Sequence, residues 1–283
     1  MIGIENKVAM VTGAGAGIGC AIAESFARLG AHVIVADIDP VRVDEVCQKI
    51  EKAGFQATGM TIDVTAVPQV ADAIRQIGSQ FGKLHILVNN VGGEPKLRKP
   101  FAETTADEWD DLYAINLRHM FIVTHAAIPL LRSAGSGAII NISTIEAFRG
   151  IPCSAIYSAF KTGISGFTRS LALELAPDAI RVNAIAPETT ESSSVDISSR
   201  IDPEHMNQIQ NWIPLGRFGR ADDIAGSAVF LASDLSRWVT GTTIHVDGGA
   251  LAAAGWVRMP DGGWTHRPIV TGSGYRHHRK VVS

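Results

Sequence analysis

Short unbroken apolar runs alternate along this chain with longer stretches whose apolar residues recur every three or four positions. The runs at 8–11, 32–36, 84–88, 138–142, 180–184 and 242–246 read as buried strands, and a further strand, third in order, ends at Asp63-Val64. Between the first two, Ile22, Phe26 and Leu29 mark a helix that stops at Gly30. Asp39-Pro40 opens the next helix, with the carboxylate as N-cap and proline at the first helical position. Thr65 is placed to cap a third helix running to about Phe81, and a long helix covers roughly 107–131. Another carries Tyr157 and Lys161 and ends before Pro177, and a last one spans about 222–232. Residues 188–214 are polar and irregular. Strand–helix alternation with strands apolar on both faces predicts an α/β fold, a parallel sheet covered by helices on both sides.

Composition narrows the classes. A chain of 283 residues, 46% of them hydrophobic, buries a large core as one ordinary α/β domain. A formal net charge of −3 gives no reason to expect nucleic acid as a partner. Cys20, Cys47 and Cys153 lie far apart, with no metal or redox spacing, so no metal is expected and a reducing compartment fits. The N-terminus already reads as a strand at Lys7–Thr12 rather than as a signal peptide, and no unbroken apolar run reaches bilayer length. The expectation is a cytoplasmic protein with no membrane partner.

Two stretches carry chemistry. Tyr157 and Lys161 stand one helical turn apart on one face. An ammonium that close favours phenolate and lowers the tyrosine from its usual value of about 10, toward exchange of a proton with an alcohol or carbonyl oxygen. Taken alone, such a pair is more often a half-buried ring beside a solvated amine. The first turn, Thr12-Gly-Ala-Gly-Ala-Gly-Ile-Gly19, follows a strand and opens a helix, the context in which glycines let backbone approach a pyrophosphate at a helix N-terminus. The second strand ends in Asp37, where an acid bonds the ribose hydroxyls of NAD and repels the 2′-phosphate of NADP. The only basic residue near it is Arg42, on the next helix. NAD is the expected cofactor.

The spacing Gly13-x3-Gly17-x-Gly19, the run Asn89-Asn90-Val91-Gly92, Asn116 in the long helix, Tyr157-x3-Lys161 and the closing Val246-Asp-Gly-Gly249 together resemble the short-chain dehydrogenase/reductase family over about residues 7–249. The resemblance implies a Rossmann-like, doubly wound parallel sheet of about seven strands in a single domain, 1–250, assembled as a dimer or tetramer. It also implies reversible hydride transfer between a nicotinamide and a secondary alcohol or ketone. Tyr157 is then the acid/base, and Lys161 lowers its pKa and holds the nicotinamide ribose. Asn116 holds a water linking Lys161 to solvent, and a hydroxyl after strand five binds the substrate oxygen. The implied cofactor contacts are Gly13, Ala16, Gly17, Ile18, Gly19, Asp37, Ile38, Asp63, Val64, Asn90, Val91, Gly92, Pro187, Thr189 and Thr190, with Ser192 as a further candidate and Tyr157 and Lys161 contributing.

This sequence departs from the family pattern twice. Thr144 stands thirteen residues before the tyrosine, where the family has serine, and Ser143 precedes it. Adjacent strand residues point to opposite faces, so one of the two serves, and Thr144 is the assignment. Pro187-Glu188 replaces the family's Pro-Gly, which places a carboxylate near the nicotinamide.

Substrate candidates are Glu94, Glu146, Arg149, Ile151, Cys153 and the loop 188–214, whose Trp212 and Ile213 read as an apolar lid. With no arginine cluster to announce an anion, a neutral cyclic or aromatic secondary alcohol is expected. The alternatives are a 3-oxoacyl thioester reductase, whose usual NADPH Asp37 opposes, and a cofactor-sensing binding protein, which typically loses the tyrosine or lysine kept here. Residues 251–283 form a C-terminal extension. In it, arms bearing Trp256 and Trp264 flank the turn signal Pro260-Asp-Gly-Gly263, a small hairpin expected at a subunit interface, before a basic tail from Tyr275. Tyr157→Phe is expected to leave NAD binding nearly intact while removing at least about 100-fold of the turnover rate, measured by steady-state kinetics beside a binding titration.

Overall fold

The computed structural model describes residues 3–93, 98–191, 206, 208–255, 257–258 and 263–265. Glu94, Ser192, Trp256 and the tail from Tyr275 lie outside the described residues.

Seven parallel strands form one sheet in the order β3-β2-β1-β4-β5-β6-β9. They are β1 (Val8–Thr12), β2 (His32–Asp37), β3 (Ala57–Thr61), β4 (Ile86–Asn89), β5 (Gly137–Ile142), β6 (Ile180–Pro187) and β9 (Thr243–Val246). The order reverses between β1 and β4, so the chain winds outward in both directions from that crevice. Successive strand residues feed opposite cores. Ala9, Val11, Val33 and Val35 pack with α1 (Gly17–Arg28), α2 (Pro40–Lys52) and α8 (Ala221–Ala232). Met10, Ile34 and Ala36 pack with α3 (Val67–Phe81), α5 (His119–Ser133) and α6 (Ala155–Leu175). Apolar burial on both faces explains why these strands read as runs rather than alternations.

One helix start agrees with the sequence reading and one does not. Asp39 caps α2, accepting from the Val41 and Arg42 amides. Thr65 caps nothing: its hydroxyl donates to Asp63 at 2.7 Å, and the cap position of α3 falls one residue later, on Ala66, which has no side-chain cap bond. The long helix is also not uniform. It comprises α4 (Ala106–Tyr113), a π-helical turn at Ala114–Arg118, and α5. By length and mean hydropathy the whole stretch Ala106–Ser133 passes for a membrane span. In this fold Met120, Val123, Ala127 and Leu131 bury it against the sheet.

A third, smaller core of Ile145, Ala186, Ile209, Ile213, Phe218 and Ala250 lies beyond the carboxyl end of β6. It seats the short α7 (Ile209–Trp212) and α9 (Ala250–Ala253), and the two-residue strands β7 (Thr190–Glu191) and β8 (Gly219–Arg220) pair beside it. In the extension, β10 (Val257–Arg258) and β11 (Trp264–Thr265) pair antiparallel, so the hairpin ladder forms. Its first strand runs beside α7 of its own chain.

Polar groups buried within the second core are joined. Asn89 Nδ2 donates to Asn141 Oδ1 and to Thr124 Oγ1, both at 2.9 Å, and Asn141 Nδ2 donates to Thr168 Oγ1 at 3.0 Å. This ladder ties β4 and β5 to α5 and α6 under the crevice. Asn141→Ala breaks two of its bonds and strands buried partners, so chemical denaturation is expected to show a loss of about 1–3 kcal/mol.

Candidate active site

The crevice between β1 and β4 opens into a cleft of about 930 Å³ along the carboxyl ends of the strands. At one end the glycine turn is held rigidly from behind. Asn90 Nδ2 donates to the Thr12 and Gly13 carbonyls, both at 3.1 Å, and its amide donates to Thr12 Oγ1. Thr12 Oγ1 passes its own proton to the Val88 carbonyl. A Cβ at Gly19 would collide with the Gly13 carbonyl oxygen, so only glycine lets helix and turn close this tightly. The start of α1 carries no side-chain cap, which leaves its first amides directed at the cleft. Asp37 Oδ2 accepts from the Gly15 amide at 2.9 Å, fixing the carboxylate beside the turn. Cleft volume, uncapped helix and fixed acid suit a dinucleotide, with the pyrophosphate on Gly13–Ile18 and the adenosine ribose at Asp37.

At the other end stand Tyr157 and Lys161 of α6. Lys161 is 3% exposed, its Nζ donates to the Ile142 carbonyl at 3.4 Å, and it lies 5.8 Å from the Tyr157 ring centroid. Burial pushes this ammonium down to about 8. The loop after β4 makes room for it, since a Cβ at Gly92 would stand 2.6 Å from Nζ. Asn116, fully buried in the π turn, braces that loop. Its Oδ1 accepts from the Gly93 amide at 3.0 Å, and its Nδ2 donates to the Gly93 and Leu112 carbonyls. His119 follows the π turn, also fully buried. Its imidazole approaches the Val91 backbone without meeting hydrogen-bond geometry, and neither ring nitrogen has a partner among the described residues. Burial, with Lys161 nearby, pushes it down to about 3, so it is neutral at physiological pH.

Both hydroxyl candidates reach the cleft wall. Ser143 Oγ donates to the Lys161 carbonyl at 3.2 Å and is buried against α6. Thr144 Oγ1 faces the loop after β6, donating to the Pro187 carbonyl at 3.4 Å and accepting from the Glu146 amide. Glu188, the departure after Pro187, is ion-paired. Its Oε2 accepts from Arg149 Nη2 at 2.6 Å, and Arg149 also pairs with Glu146 at 2.8 Å.

The cleft gathers Gly13, Ala16, Gly17, Ile18, Asp37, Ile38, Asp63, Val64, Asn90, Val91, Gly92, Pro187, Thr189 and Thr190 with Tyr157 and Lys161. Gly19 and Asn116 act from behind its wall. Of the substrate candidates, Glu146 and Ile151 line the cleft. Cys153 shares a smaller side cavity with Tyr157, under Phe101 and Trp109. Trp212 turns into the third core, 5.9 Å from the Phe218 ring, rather than onto the cleft. The sequence reading did not select Arg98, Ile115, Ile142 or Arg42 as site residues, yet all four line the cleft. Ile115 was accessible to inference as the neighbour of Asn116, whereas Arg98 has no motif to mark it.

A family model described as enoyl-(acyl carrier protein) reductase matches residues 13–250. A curated relative, 3-oxoacyl-[acyl-carrier-protein] reductase FabG of Staphylococcus aureus, is 39% identical over 86% of this chain and 98% of its own length. Among solved structures, a 7α-hydroxysteroid dehydrogenase complexed with NADH and 7-oxo glycochenodeoxycholic acid superposes with a TM-score of 0.82 at 33% identity, covering 88% of this chain and 96% of that one. A putative NAD(P)-dependent gluconate 5-dehydrogenase from Beutenbergia cavernae, with bound NADP, gives 0.81 at 34% identity, covering 89% and 99%. Fold and site thus define a dinucleotide-dependent oxidoreductase. The chain belongs to the short-chain dehydrogenase/reductase family.

The depressed Lys161 value makes a stability prediction. Its folded pKa lies below the unfolded one, so between about 8 and 10.5 the unfolded chain binds more protons, and Lys161 costs less stability as pH rises through that window. Lys161→Met is therefore expected to raise the Tm of the cofactor-free protein at pH 7, with the gain shrinking toward pH 10. Thermal unfolding across that range checks the sign.

Proposed function

We propose that this oxidoreductase uses NAD(H) to interconvert a neutral cyclic or aromatic secondary alcohol and its ketone. The observation that carries the reading is one continuous cleft with Asp37 at the ribose end and Tyr157, Lys161 and Thr144 at the other. When bound, the dinucleotide supplies or accepts the hydride. The chain's residues do the rest. Thr144 Oγ1 turns from the Pro187 carbonyl to donate to the substrate oxygen, and Tyr157 gives or takes the proton at that same oxygen. Lys161 holds a positive charge beside the phenol, where burial strengthens its pull. Asn116, by fixing Gly93, keeps the loop beside Lys161 in one position. Ile115, Ile142 and Ile151 give the cleft an apolar lining, which supports a neutral substrate.

Asp37 supports NAD over NADP. Arg42, which lines the same end, is engaged with Asp39 at 3.3 Å, so it offers a 2′-phosphate only a shared charge. The second reading, a 3-oxoacyl thioester reductase, draws on the Staphylococcus aureus relative's name. Initial rates on a panel of secondary alcohols and one 3-oxoacyl thioester, each with both nucleotides, separate the two. The expected result is a higher kcat/KM with NAD on a cyclic alcohol, a preference that Asp37→Ala narrows. NADPH-driven reduction of the thioester alone would replace this proposal with the second reading. Thr144→Val is expected to lose more rate than Ser143→Ala, by the ~3 kcal/mol typical of an oxyanion donor. The reverse order would move the role to Ser143.

A further inference from the structure

Glu188 is an unusual residue to bury. Its side chain is 4% exposed, at the carboxyl end of a central strand, facing the cleft. Its backbone is pinned, with its amide donating to the Val246 carbonyl at 3.3 Å. Both carboxylate oxygens are committed. Oε2 takes the Arg149 guanidinium, which Glu146 holds from the far side through two further bonds. Oε1 takes two protons from the next residue, the Thr189 amide at 2.7 Å and the Thr189 hydroxyl at 2.8 Å. Thr190 then donates its hydroxyl to the Glu188 carbonyl at 2.8 Å.

The consequence is chemical. A threonine hydroxyl has one proton and two lone pairs. Thr189 has given its proton to a carboxylate anchored by an arginine, so toward the cleft it can only accept. Without Glu188, the same hydroxyl would rotate to donate or accept as the ligand required. We propose that Glu188, anchored through Arg149 to Glu146, is a positioning residue that fixes Thr189 as an obligate acceptor for an amide N–H of the bound ligand. The inference rests on the reading of this cleft as a nicotinamide dinucleotide site, where the ligand's primary carboxamide supplies that N–H. It also shows how a glutamate can be buried beside the cleft: a guanidinium shared with Glu146 pairs it, and the clamp joins the loop after β5 to the loop after β6.

The test compares three ligands by calorimetric titration: NADH, ADP-ribose, which lacks the nicotinamide, and reduced 3-acetylpyridine adenine dinucleotide, whose methyl replaces the amide NH2. Wild type is expected to bind NADH more tightly than the acetylpyridine analogue. Glu188→Ala should weaken NADH severalfold, narrow the preference over the analogue, to whose acetyl oxygen the freed Thr189 hydroxyl can donate, and leave ADP-ribose within about twofold. Glu188→Gln, which still offers Thr189 an acceptor oxygen, should recover most of the NADH affinity. Thr189→Val, which leaves the carboxylate clamp in place but removes the acceptor, should weaken NADH by about tenfold and abolish the preference over the analogue, and the double variant should lose no more than Thr189→Val alone. Equal weakening of NADH and ADP-ribose in Glu188→Ala, or unchanged NADH binding in Thr189→Val, overturns the proposal while leaving the dinucleotide reading intact. A wild-type protein that binds neither NADH nor ADP-ribose overturns both.

Discussion

The site is arranged around one buried positive charge. An ammonium almost without solvent is costly, and among the described residues Lys161 donates to one carbonyl, that of Ile142. Much nearby follows from tolerating it. Gly92 has no side chain because Nζ occupies the space one would need. His119 stays neutral beside it. Ser143 secures the backbone of Lys161 itself by donating to its carbonyl. The same lack of solvent that makes the charge expensive makes its field on Tyr157 strong.

The rest of the cleft is held by side chains that never face a ligand. Asn90 staples the glycine turn to β4, Asn116 staples the following loop to the π turn, and Asn89 with Asn141 ties both central strands to the helices beneath. Each amide joins backbone or side-chain groups of separate elements, which removes freedom at the crevice, while Asn89 Oδ1 is itself buried without a partner among the described residues. Loops carry part of the site here, the glycine turn and the residues after β4, β5 and β6, and asparagine side chains tie the first two of these to the sheet and the π turn.

The sheet was readable because its inner strands are buried on both faces, so their signal was a run of Val, Ile and Ala rather than a subtle period; the edge strands β3 and β9 are only partly buried. Tyr157 and Lys161 and the glycine turn were readable as cleft residues because their placement depends on local spacing. What resisted reading was of another kind. Thr65 has the residue type of a cap, but the helix starts one residue later than its type suggests, which leaves the cap position to Ala66. Trp212 stands in a polar loop, where burial looks like lid formation, yet the partner that takes it, Phe218, is identified only by the third core. The meaning of Glu188 depends on Arg149, nearly forty residues away, a pairing no local pattern announces. The hairpin ladder was legible from its turn residues, whereas its neighbour in the fold, α7 of the same chain, was not.

The π turn at Ala114–Arg118 has a bearing on how sequences of this kind can change length. A π turn is an α-helix carrying one surplus residue. Deleting a residue there would restore ordinary helical hydrogen bonding and give a locally better helix. It would also rotate everything on one side of the cut by about 100° relative to the other. Asn116 and His119 would then leave the faces they now present, Met120 and Val123 would lose the sheet, and Tyr113 would swing off Phe160 of α6. The surplus residue is thus a phase shifter between two amphipathic segments: α4 packs on α6 in one phase, and α5 lies on the sheet in another. Single-residue indels in this stretch should therefore be rarer among functional descendants than substitutions at any one of its positions.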